Sequence, residues 1–328
     1  MGCEPGGLAL GTPGGPPAFR RDVRLGPPHY GGYPRYRHVG AACSGQRPTG
    51  GRQLRVRPSR GTRRLCTRFL GYHGTAVAGI VHSVNLRAIL LHVRVVSRLN
   101  RLSLRDAVDA LRWAAGLTVP GTPPNRFPAR VINASFTLNS VPKTGCAPAM
   151  QRAVDEVLAR GSVIVVSAGN RNAPAVLNTP AGCRGVITVA PTDEQNRRAP
   201  YSNWGAAVAL AAPGGTAGEQ VEVLRPGGGE AERMGTSFAA PLVSGAASLL
   251  LAERPALSPA AVATILERTA QPFPGGQCDR LRARSCGAGV LDVAAAVQAA
   301  RTWAGRWPWP ANADGEPRSF WPPCCSQR

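Results

Sequence analysis

From about Leu70 the chain settles into short apolar runs that alternate with segments whose apolar residues recur at helical spacing. Residues 73–81, His-Gly-Thr-Ala-Val-Ala-Gly-Ile-Val, read as a short buried helix of small residues. Residues 89–96 are apolar and β-branched enough for a strand. Ser103 and Asp106 make a capping-box-like helix start, and Leu104, Val108, Leu111 and Ala115 then share one face. Residues 131–136 predict a strand, and Met150, Val154, Val157 and Leu158 stripe the next helix, which Gly161 ends. Residues 162–167, 186–190 and 207–211 predict three more strands. Ser258-Pro259 starts a helix to about Thr269, and residues 290–300 make a last one.

This alternation predicts an α/β fold: a mostly parallel central sheet covered by helices on both faces, in three layers. The pattern also sets the domain limits. Residues 1–70 hold 14 Gly and 9 Pro with no sustained apolar period, and read as disordered or low-complexity sequence. Such an Arg/Gly/Pro-rich start also fits translation of a GC-rich region out of frame. The patterned domain runs over residues 71–300. Residues 301–328, with Trp303, Trp307 and Trp309 among several prolines, read as an unstructured tail.

Charge changes the picture less than its size suggests. The formal net charge is +21, but residues 1–70 alone hold 13 Arg against Glu4 and Asp22. Lys143 is the only lysine among 39 basic residues, which looks like a coding bias and not like selection for phosphate contacts. A nucleic-acid-binding reading through residues 1–70 lacks aromatic interleaving and any helix to enter a groove, so no nucleic-acid partner is expected. No run approaches the roughly 20 apolar residues of a membrane span, and no signal peptide is visible. The nine cysteines form no Cys-x-x-Cys or Cys/His cluster, so neither a metal nor a cofactor is expected. Cys146 with Cys183, and Cys278 with Cys286, are plausible disulfides for an exported protein.

The candidate chemistry sits where the pattern breaks. Gly235-Thr236-Ser237-Phe238-Ala239-Ala240-Pro241 reads as a tight turn, a hydroxyl, and then a helix too rich in small apolar residues to be exposed. A buried helix starting at a serine sets free N–H groups beside that hydroxyl, which suits a nucleophile whose attack creates an oxyanion. His73 opens the other small-residue helix, and Asn170 ends an apolar strand. At the carboxyl ends of parallel strands these three supply a base, an amide donor and a nucleophile, the set needed for acyl transfer.

His-Gly-Thr-x-Val-Ala-Gly, Ser-Ala-Gly-Asn and Gly-Thr-Ser-Phe-Ala-Ala-Pro, in this order, resemble the subtilisin-like serine peptidases, or subtilases. The resemblance covers residues 71–300 and is nearest to secreted bacterial members, through residues 112–117, 197–205 and 211–215 as well. It implies a secreted, monomeric endopeptidase acting on extended polypeptide segments. Ser237 would be the nucleophile, His73 the general base and Asn170 an oxyanion donor. Ser135, Phe136 and Thr137 would line the substrate strand, with Thr137 and Leu138 replacing the family's glycines and narrowing the cleft. The loop after Val81 is short for the family, which removes a common cation site.

The resemblance also implies an Asp after an apolar strand upstream of His73. No such strand and no Asp-Ser/Thr-Gly occurs there, and the only upstream aspartate is Asp22, preceded by two arginines. The sequence therefore supports two readings of one fold: an active peptidase, or a truncated, frame-shifted or impaired member lacking its first strand and its acid.

Overall fold

A computed structural model describes residues 7–12, 54–55, 72–96, 101–138, 144–225 and 228–304. Two short strands come first, β1 (Gly7–Thr12) and β2 (Leu54–Arg55), followed by helix α1 (His73–Val84) and strand β3 (Ile89–Arg94). Next come α2 (Leu104–Ala114), β4 (Val131–Ala134), α3 (Pro148–Ala159), β5 (Val163–Ser167), β6 (Ile187–Thr192) and β7 (Leu210–Pro213). A hairpin of β8 (Val221–Leu224) and β9 (Glu230–Arg233) leads into α4 (Thr236–Glu253). Helices α5 (Pro259–Arg268) and α6 (Val293–Thr302) finish the fold.

Seven strands form one sheet in the order β2-β3-β1-β4-β5-β6-β7. Strands β4 to β7 are parallel, with Val131 paired to Val163, Val165 to Ile187 and Val189 to Leu210. Their period of two deals alternate residues to opposite faces. Ile132, Ile164 and Val166 pack under α2 and α3 with Leu111, Met150 and Val154. Val131, Val163, Val165 and Val189 pack under α4 and α5 with Val243, Leu250 and Ile265. Every residue of β4, β5 and β6 is buried, as strands covered on both faces must be.

The sheet departs from expectation at β1, which lies within residues 1–70, where composition predicts no strand. It fills the slot between β3 and β4 and runs antiparallel to both, Leu10 pairing with Leu91 and with Ile132. A parallel strand there would end at the carboxyl edge of the sheet. In this one the last residue, Thr12, pairs with Ile89 at the start of β3, so the chain leaves β1 from the opposite edge.

Helix α4 is the core helix, and its sequence shows why. It is apolar on all sides, and among the described residues it alone is long and apolar enough to cross a membrane, yet 67% of it is buried in the protein. Gly245 lets it approach α1, since a Cβ there would lie 2.5 Å from that of Val84. Trp303, assigned from the sequence to the tail, packs against the core beside α6 instead, while Trp307 and Trp309 lie outside the described residues. Both proposed disulfides are present, Cys146–Cys183 joining the start of α3 to the loop before β6, and Cys278–Cys286 closing a loop near the sheet edge. Arg198, almost fully buried, pairs with Asp279 at 2.6 Å and holds that loop to the body.

Candidate active site

A cleft of about 520 Å³ opens at the carboxyl edge of the sheet, between the ends of β4 and β5 and the starts of α1 and α4. His73, Ser135, Phe136, Thr137, Asn170 and Ser237 all line it. Leu138 does not: it is fully buried in the core under α2 and α3, so of the two residues expected to narrow the cleft only Thr137 reaches it. Its hydroxyl lies 3.5 Å from where a Cβ on Gly169 would stand.

Ser237 is the second residue of α4, behind Gly235 as N-cap and Thr236. Its N–H is one of the first-turn groups without an intrahelical acceptor. Pro241 falls beyond the first turn of α4, and so it denies the Ser237 carbonyl its helical donor. The Ser135 hydroxyl takes that place, donating to the Ser237 carbonyl at 3.0 Å. Behind Ser135 runs a buried relay, in which Asn133 Nδ2 donates to Ser135 Oγ at 2.9 Å. Ser244 Oγ of α4 donates to Asn133 Oδ1, also at 2.9 Å. The Ser237 hydroxyl itself donates to the Ser135 carbonyl at 3.3 Å.

Asn170 is held with equal redundancy. Its Oδ1 accepts from the Thr236 N–H at 3.0 Å and from the Thr236 hydroxyl at 2.9 Å, leaving Nδ2 as the amide's remaining donor on the cleft. Thr236 Oγ1 in turn accepts the Gly169 N–H. The loop beneath is organised by Asn203, which is 1% exposed. Its Oδ1 accepts the N–H groups of Arg171 and Ala173, and its Nδ2 donates to the Ala168 carbonyl. Gly169 adopts φ +104°, and a Cβ there would lie 2.5 Å from Asn203 Nδ2, so only glycine fits. Behind Gly235, Tyr201 donates to the carbonyls of Gly214 and Gly215, and Gly214 accepts the Gly235 N–H. Burial pushes the Tyr201 phenol well above its usual range, so it stays a donor. Asn133, Asn203, Tyr201 and Thr236 were not singled out from sequence. Their signal was present only as company: Thr236 precedes the serine, and Tyr201 and Asn203 sit in Tyr-Ser-Asn-Trp-Gly.

The histidine side differs. His73 is the first residue of α1, next to Phe238 with ring centres 5.7 Å apart. It makes no hydrogen bond to Ser237, and no described carboxylate bonds to it. Burial lowers its imidazole from the usual 6.5 to about 4. Asp22 lies outside the described residues. Among the described residues no three His, Cys, Asp or Glu side chains converge as metal ligands would.

The architecture is the subtilisin-like α/β fold, and the chain belongs to the subtilase family, whose sequence model matches residues 62–290. Among its relatives, an extracellular protease of Xanthomonas campestris pv. campestris is 38% identical over 70% of this chain. An extracellular basic protease of Dichelobacter nodosus is 34% identical over 71% of it. The chain spans 40% of the length of each of these relatives. Proteases from Pseudoalteromonas arctica superpose with a TM-score of 0.61 and 33% identity, covering 70% of this chain and 71% of that one. A cold-adapted subtilisin-like serine proteinase gives a TM-score of 0.53 and 28% identity, over 66% of this chain and 74% of its own.

Proposed function

We propose that this chain is a serine endopeptidase that cleaves extended polypeptide segments through an acyl-enzyme on Ser237. The observation that carries the reading is the convergence of Ser237, Asn170 and His73 on one cleft, with the first two held by buried partners. Ser237 Oγ adds to the scissile carbonyl while the His73 imidazole takes its proton. The oxyanion that forms is met by the Ser237 N–H and Asn170 Nδ2. The imidazolium then gives the proton to the leaving amine, and water repeats the sequence to free the acid product. Ser135, Phe136 and Thr137 continue from the end of β4 and offer backbone to a peptide lying alongside. The peptidase unit spans about residues 71–300. Two disulfides, and relatives that are named extracellular, support an exported protein.

A second reading is favoured by one specific observation: His73 has no described acid. Without a carboxylate to set its tautomer and stabilise its charged form, a triad loses roughly 10⁴ in rate while the oxyanion site still works. That reading is an impaired member of the same family.

A fluorophosphonate label, applied to the folded protein and to Ser237→Ala, tests both. Labelling that depends on Ser237 together with cleavage of an unfolded protein substrate supports the peptidase. Slow labelling with turnover depressed about 10⁴-fold relative to an intact subtilase supports the impaired form. No Ser237-dependent labelling of folded protein would overturn the assignment of Ser237.

A further inference from the structure

The hairpin of β8 and β9 lies against α1, where Val221 and Val223 pack with Ala76, Ile80 and Phe238. Strand alternation then sorts the charges of β9. Glu230 and Glu232 are exposed, while Ala231 and Arg233 are half-buried on the other face. Arg233 donates from one terminal nitrogen to the Glu232 carbonyl at 2.6 Å and from the other to the Tyr72 hydroxyl. Its guanidinium carbon stands 5.1 Å from the centre of the Tyr72 ring. Both side chains line the cleft, Tyr72 directly before His73 and Arg233 just ahead of Ser237 in sequence.

This cation is braced but not neutralised. No described carboxylate pairs with Arg233. A guanidinium carries five N–H donors in a rigid fork, and the two bonds above leave others for a ligand. Holding it on an aromatic face reduces the ordering a bound carboxylate would require. Arg171 lines the same cleft, and among the described residues lining it there is no Asp or Glu. Where the described charges of a cleft are cationic, it discriminates by attraction and by repulsion together.

We propose that Arg233, braced by Tyr72, makes this cleft select polypeptide segments with an acidic side chain near the scissile bond and reject those with a basic one there. The proposal rests on the cleft being the peptide-binding site. Thr137 and Phe136 shape the cleft but carry no charge, whereas Arg233 reaches it from the hairpin and Arg171 from the loop after β5.

The test uses full-length Ser237→Ala protein and binding, which needs no turnover. Matched fluorescent octapeptides carry Glu, Gln or Lys at one position, scanned along the peptide, and affinities are read by anisotropy at low and high salt. At the responsive position the Glu peptide binds about tenfold more tightly than the Lys peptide at low salt, and added salt shrinks the ratio. Arg233→Gln brings the ratio to within about twofold, while Arg233→Lys, which keeps the charge but not the fork, gives a ratio between those of the wild type and Arg233→Gln. Because the readout is a ratio within one preparation, a loss of folded protein lowers both signals and leaves it unchanged. Equal affinities at every position, or a ratio indifferent to Arg233→Gln, would overturn the proposal and leave the peptidase reading standing. If no peptide of any sequence binds the folded protein, both fall.

Discussion

The two sides of the cleft are built to different standards. On the serine side, Ser237 and Asn170 are each held by groups that are themselves buried and bonded, reaching back through Ser135, Asn133 and Ser244 and through Thr236 and Asn203. On the histidine side, His73 starts a helix whose N-cap, Tyr72, makes no side-chain capping bond, and its imidazole lies beside the Phe238 ring with no hydrogen bond to a described residue. The partners on the serine side come from the end of β4, the loop between β6 and β7, and α4, all at the parallel half of the sheet. No described carboxylate stands beside His73, and the strand that fills the slot between β3 and β4 runs in reverse. One half of this fold therefore holds Ser237 and Asn170 through buried bonds, while His73 has no polar partner among the described residues.

If the serine side is as prepared as its bonding indicates, Asn170→Ala should lower kcat by about 100- to 1000-fold with little change in KM. That is the size of loss found when one oxyanion donor is removed from an enzyme of this family. Circular dichroism should show the fold retained, since Asn170 is exposed. A loss under tenfold would mean that Nδ2 does not meet the oxyanion, and the contrast between the two sides would lose its functional meaning.

Asn203→Ala attacks the same side from below. It strips the acceptor from two backbone N–H groups and the donor from the Ala168 carbonyl, all beside the site. The expected cost is about 3 kcal/mol, seen in thermal melts as a fall of roughly 6–12 °C for a domain of this size. A change below 1–2 °C would show that water replaces Asn203 without loss.

The histidine side is tested by pH. An imidazole lowered to about 4 is neutral, and so competent as a base, from about pH 5 upward. The acid limb of kcat/KM should then lie near pH 4. The sign for stability follows from the same shift. Because the unfolded chain takes up the proton near pH 6.5 and the folded one near 4, the contribution of His73 is complete above pH 6.5. It is lost as pH falls through that window, by no more than about 3 kcal/mol. His73→Gln should flatten this part of the stability curve. An acid limb near pH 7 would instead reveal a carboxylate beside His73, supplied from residues outside those described.

How far these differences could be read in the sequence depends on their range. The helices and parallel strands were legible because their signals are local: apolar period, Ser258 and Ser103 as caps, Gly161 as a stop. The three site residues were legible because each sits in a short motif at an element boundary. What stayed hidden was contact between distant segments. Nothing local in Asn133 says that it joins Ser244 to Ser135, and the hairpin bearing Arg233 lies in Gly- and Glu-rich text without a strand signal. The reversed β1 was hidden for a different reason. Gly7–Thr12 is too short and too glycine-rich to predict a central strand, and only the vacancy between β3 and β4 gives it a place.

The finest test of the serine side concerns Pro241. Ser135→Ala removes the donor to the Ser237 carbonyl, which Pro241 has already left without its helical partner. A carbonyl left unpaired in this way costs about 1–2 kcal/mol. Pro241→Ala restores an N–H at the position where an α-helix would bond that carbonyl, so it should recover part of the loss in the Ser135→Ala background. In the wild-type background it adds a donor to a carbonyl that already has one, and its effect there should be smaller. The double-mutant cycle should therefore show a favourable coupling of about 0.5–1 kcal/mol between residues 135 and 241, two positions that share only the Ser237 carbonyl. Strict additivity in urea titrations would mean that the Ser135 hydroxyl bond is incidental. The proline would then be tolerated for some other reason, and the redundancy on the serine side would end one residue earlier than the structure places it.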